Sequence, residues 1–139
     1  MKFTAIITGT AALFSGLATA SPVEAQNNGL AARATSADIT GFSVTCGATS
    51  CSYLATATIQ PENIVINFNA TTTGSTIPSG VFYTSSDPLA ALRINRPLGN
   101  YRLIITYGVA PPAEFDYFFP AGSFPGNAGY TGASSFTAS

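Results

Sequence analysis

The chain has 139 residues, only 8% of them charged, with five Lys and Arg against six Asp and Glu and no His. Beyond Arg33 there is no Lys, and Arg93, Arg96 and Arg102 stand against Asp38, Glu62, Asp87, Glu114 and Asp116. That balance offers no basic stripe and argues against nucleic acid as a partner. The missing imidazole excludes Ser-His-Asp and Cys-His nucleophiles as usually built, and leaves zinc without a ligand set.

Met1-Lys2-Phe3 gives a single positive charge, and an apolar run from Ala5 to Leu17 follows it. Ala18-Thr19-Ala20 then supplies the small residues of a cleavage site, so residues 1–20 are predicted to be a secretory signal peptide. The run is short and broken by Thr8, Gly9, Thr10 and Ser15, and no basic cluster follows it, which argues against a membrane anchor. We therefore expect a secreted, extracellular protein with no membrane association once the signal is removed. Residues 21–34 are polar and aperiodic and end near Arg33. Two readings fit them, a propeptide cut after that arginine and a flexible N-terminal arm. Residues 35–139 then form a single β domain of about 105 residues.

Period-two alternation dominates the domain. Asp38 to Cys46 places Phe42, Val44 and Cys46 on one face, and Cys51 to Ile59 does the same with Cys51, Tyr53, Ala55, Ala57 and Ile59. Gly47 to Ser50 has the length of a hairpin loop. The predicted register sets Cys46 opposite Cys51, Val44 opposite Tyr53 and Phe42 opposite Ala55. In an exported chain the two cysteines, Cys46 and Cys51, read as one disulfide. Its loop is short, so the chain-entropy contribution is about 2 kcal/mol and pins a turn more than a fold.

Further strands are predicted over Asn63–Asn69, Gly80–Thr84, Asn100–Tyr107, Glu114–Phe119 and Thr131–Thr137, with Ala70–Ser79 as loop. Leu89 to Ile94 fits a helical turn or a strand, and its β context favours strand. Short strands separated by Gly and Pro indicate an all-β fold, a compact antiparallel β-sandwich or small β-barrel with one disulfide. We expect a monomer with no cofactor and no metal.

Chemistry-bearing residues are few. Glu114 and Asp116, two apart on a strand, share a face. Paired carboxylates of this kind cleave glycosides or bind hard cations, but the plainer expectation is two solvated acids with Phe115 and Tyr117 pointing inward. Arg93, Arg96 and Arg102 offer a grip for an acidic glycan or partner, set against ordinary surface pairing with neighbours such as Asp87. Asn69-Ala70-Thr71 matches the acceptor pattern for N-glycosylation at Asn69. The aromatic stretch Phe115 to Phe124 is expected to fill the core, with an exposed recognition surface as the alternative.

Ile39-Thr40-Gly41-Phe42, the Cys46 to Cys51-Ser52-Tyr53 segment, and the ending Gly129-Tyr130-Thr131-Gly132 to Phe136 are similar to small secreted proteins of filamentous fungi. Some members of that group are described as hypersensitive-response-inducing elicitors of plant tissue. The resemblance spans about residues 36–139, although related proteins often carry more cysteines. It implies a non-enzymatic effector or elicitor with a compact β fold that binds a host component and triggers or modulates plant defence. It carries over no catalytic residue and names no receptor. A cell-wall or polysaccharide-binding protein that uses exposed tyrosines as sugar platforms is the alternative.

Overall fold

A computed structural model describes residues 33–139. The predicted signal peptide, and all of the predicted arm except Arg33 and Ala34, lie outside the described residues. The domain is a sandwich of two antiparallel sheets, and among the described residues no closed barrel forms. Strands β1 (Ser36–Cys46), β2 (Ser50–Gln60), β3 (Ile64–Thr73), β5 (Thr84–Ser85) and β9 (Phe136–Ala138) make a five-stranded sheet in the order β5-β3-β2-β1-β9. Strands β4 (Gly80–Phe82), β6 (Ala90–Asn95), β7 (Arg102–Tyr107) and β8 (Ala113–Phe118) make a four-stranded sheet in that order.

Alternation along each strand builds the core between the sheets. Ile39, Phe42, Val44, Tyr53, Ile59, Ile66 and Phe68 face inward from one sheet, and Leu92, Ile94, Leu103, Ile105 and Phe115 meet them from the other. At one end Phe42 contacts Phe119, Tyr130 and Phe136 with ring centroids 4.8–5.4 Å apart. Phe119 and Phe124, from the aromatic-rich stretch, are buried as expected.

The β1–β2 register pairs Cys46 with Cys51 and Val44 with Tyr53, and the disulfide joins the two directly opposed cysteines. Pairing then slips: Ser43 opposes Leu54 but Thr40 opposes Thr56, so Gly41 and Phe42 together face Ala55. This is a β-bulge with glycine in the left-handed region at φ 60°. Strict alternation carried back from Phe42 would turn Ala37 and Ile39 to solvent. The extra residue returns both to the core.

Three predicted boundaries need correction. Ala70–Thr73 is strand, not loop, because the start of β2 needs a partner: Ser50 opposes Thr73, and the Tyr53 and Thr72 hydroxyls meet at 2.9 Å. Gly80–Thr84 is two strands, not one. The chain passes from the four-stranded to the five-stranded sheet at Tyr83, between β4 and β5. Most of Thr131–Thr137 is irregular, since Gly132 lies so close to the Tyr130 ring that a Cβ has no room, and only β9 pairs, with β1. Leu89 to Ile94 resolves as a strand, with Asp87 accepting a hydrogen bond from the Leu89 amide to turn the chain into it. Ser139 exchanges two backbone hydrogen bonds with Asp116 on β8, so the chain also crosses between the sheets at the opposite edge.

Candidate functional site

The outer face of the four-stranded sheet is built by the residues that alternate away from the core. Cross-strand register aligns them in rows. Phe82, Arg93, Ile104 and Asp116 form the central row, Asn95, Arg102 and Phe118 flank it on one side, and Ala91, Thr106 and Glu114 on the other. Four of the five charged residues singled out from the sequence (Arg93, Arg102, Glu114 and Asp116) therefore meet on a single face.

The charges on this face are unequally committed. Arg102 Nη2 donates to Asp116 Oδ2 at 2.5 Å and lies 3.8 Å from Glu114 Oε1. Its guanidinium also sits 5.3 Å from the Phe118 ring centroid. The Asp116 hydrogen bond, above all, pushes the Arg102 guanidinium higher than its ordinary range. Both carboxylates thus serve one arginine on an open sheet face rather than sharing a cleft. Glu114 is solvent-exposed as expected, whereas Asp116 is half-buried and its Oδ1 has no hydrogen-bond partner among the described residues.

Arg93 is different. It is half-buried between Phe82 and Ile104 in the register, and among the described residues no ion pair or side-chain hydrogen bond holds it. Phe82, Ala91, Leu92, Ile104 and Thr106 surround it in a shallow pocket of about 190 Å³. Phe82 is 73% exposed and Phe118 63%, so two large aromatic side chains flank the charged rows in solvent. Ile104 also faces outward, yet it is buried.

The other predicted residues lie elsewhere. Arg96 leaves this face: it precedes the turn Pro97–Gly99, and its guanidinium lies 5.7 Å from the Tyr101 ring centroid with Nη1 3.5 Å from the Tyr101 hydroxyl. The expected pairing of these arginines with Asp87 does not form, because Asp87 caps its own turn. Asn69 is exposed on the outer face of the five-stranded sheet, between Leu54 and Thr84 in the register. A glycan there would project away from the arginine face. Cys46 and Cys51 close the far end of the first hairpin. None of the six tyrosines is exposed, and the exposed aromatic rings are Phe82 and Phe118.

Phe82, Phe118, Ile104 and Thr106 were not singled out from the sequence. Phe118 had a readable signal: alternation from the inward Phe115 puts Asp116 and Phe118 outside together. Phe82 had none, since a three-residue strand is too short to show a period. No protein-family model, no curated protein and no solved structure matches the chain.

Proposed function

We propose that this protein is a secreted, non-enzymatic effector or elicitor that binds a host component outside the cell, through the outer face of its four-stranded sheet. The observation that carries the reading is the pair of solvent-exposed phenylalanines on one face, Phe118 beside Arg102 and Phe82 beside Arg93, which no ion pair or side-chain hydrogen bond holds among the described residues. Exposed aromatics beside arginine are the usual composition of binding hot spots. A single exposed hydrophobic is ordinary; what distinguishes this face is an aromatic ring on each edge strand with arginines between them. The signal-peptide pattern and the likeness to fungal elicitors support the extracellular setting. Cell-wall binding through tyrosines loses support, since those rings are buried or half-buried.

Infiltrating purified mature protein into leaves tests the proposal. Wild-type protein is expected to provoke necrosis or a defence response, and a Phe82→Ala/Phe118→Ala double variant to lose it while keeping the fold. Silence of the wild-type protein across several hosts would overturn the reading.

A further inference from the structure

We infer that the pocket beside Arg93 takes a monovalent carboxylate carried on a six-membered ring. This rests on reading the outer face as the binding surface, and it names the ligand class of that face.

Three features converge. The first is charge. Arg102 is occupied by Asp116 and Glu114, which leaves Arg93 as the cation of the face with no ion pair among the described residues. A guanidinium presents a planar fork that matches the two oxygens of a carboxylate. The two acids nearby balance the two arginines, so the face as a whole is neutral. A multiply charged phosphate or polyanion would meet repulsion from Glu114 and Asp116, whereas a single carboxylate meets one matching cation.

The second feature is size. The pocket holds about 190 Å³, and an apolar cavity of about 150 Å³ accommodates one benzene ring. The third is lining. Phe82, Ala91 and Ile104 are apolar, Leu92 contributes only backbone because its side chain faces the core, and Thr106 supplies a lone hydroxyl at the wall. Such walls suit a ring body, with Phe82 free to stack on it because it is exposed. Two sources share this chemistry, an aromatic acid and a uronic sugar, and the apolar lining favours the aromatic ring.

Isotope-labelled mature protein titrated with benzoate and with galacturonate, followed by amide chemical shifts, tests the inference. Benzamide and galactose serve as uncharged controls. Benzoate is expected to move the amides of Ala91, Arg93, Ile104 and Thr106, and benzamide to leave them in place. Arg93→Gln should weaken the acid about tenfold, and Arg93→Lys should recover part of the loss, because a point charge replaces the fork. Tighter binding of galacturonate than of benzoate keeps the ligand class and assigns the sugar source. If neither acid moves these amides, or if benzamide binds as well as benzoate, the inference is wrong. Should the acids fail while the Phe82→Ala/Phe118→Ala variant still loses its leaf response, the ligand class falls and the binding face stands. Should the acids bind while that variant keeps full leaf activity, the pocket stands and the proposed function falls.

Discussion

The two outer faces of the sandwich are made from the same alternation but from different residues. On the five-stranded sheet, Thr40, Thr45, Ser52, Thr56, Thr58, Asn67, Asn69 and Thr71 point outward, and Asp38 is the only charge along β1 to β3. Some of the polar groups pair: Thr56 donates to Asn67 Oδ1 at 2.9 Å, while Gln60 and Thr137 donate to the two oxygens of Asp38. On the four-stranded sheet, exposed phenylalanines sit beside arginines and acids, with Arg93 left over. One face is mostly hydroxyl and amide, with Leu54 and Val65 as its exposed apolar side chains, and carries the glycosylation motif. The other holds side chains whose interactions are incomplete. Binding is expected on the face that combines exposed aromatic rings with arginine.

The comparison predicts that stability depends on both sheets and binding on one face. Phe68→Ala, in the core beneath the five-stranded sheet, should cost about 3–5 kcal/mol in chemical denaturation, as expected for deleting a buried ring. A loss no larger than that of a surface substitution would break the view that the two sheets share one core.

Gly41→Ala addresses the bulge that keeps Ile39 inward. Nothing lies within 4 Å of the added Cβ, so the penalty is backbone strain alone at φ +60°, about 1–2 kcal/mol. An unchanged denaturation midpoint would contradict the bulge geometry.

Tyr83 marks the crossing between the sheets, and its buried hydroxyl has no hydrogen-bond partner among the described residues. Removing it with Tyr83→Phe should stabilise the protein by about 1 kcal/mol, because an unsatisfied buried hydroxyl is costly. Burial holds the Tyr83 phenol above its ordinary value of 10.0. Tyr53, Tyr107 and Tyr130 shift in the same direction, each chiefly through burial. The unfolded chain loses these protons near the ordinary value while the folded chain retains them, so stability is intact below that pH and declines as pH rises through it. Tyr83→Phe should make the alkaline decline shallower. An equally steep decline in the variant would remove Tyr83 from its cause.

Much of the architecture was legible from alternation, since one face of every long strand is buried. Cys46 opposite Cys51 and Val44 opposite Tyr53 followed from loop length and pattern alone. Alternation fails where an extra residue enters, so the slip at Gly41 was invisible: a glycine inside a strand hints at a bulge but does not say which neighbours it returns to the core. Thr71–Thr73 misled because threonines next to Gly74 read as loop until β2 is seen to need their backbone. The candidate face was half legible. Glu114 and Asp116 were placed outward correctly, and Arg93 and Arg102 share their face because three strands carry them into adjacent rows. Arg96 is near both in sequence but follows the chain into a turn, a distinction that spacing does not carry. Phe118 was submerged in an aromatic run whose other rings do fill the core.

The most direct test of the central claim compares matched substitutions on the two faces. Phe82→Ala/Phe118→Ala removes two exposed apolar side chains from one face, and Leu54→Ala/Val65→Ala removes two of comparable exposure from the other. Away from packing and capping features such changes alter stability by only about 0.5 kcal/mol, so both variants should fold like the parent. Infiltrated into leaves at equal concentration, the Leu54→Ala/Val65→Ala variant should act as the wild-type protein does, and the Phe82→Ala/Phe118→Ala variant should be inert. Loss of the response with the Leu54→Ala/Val65→Ala variant and its retention with the Phe82→Ala/Phe118→Ala variant would place binding on the opposite sheet and contradict the account.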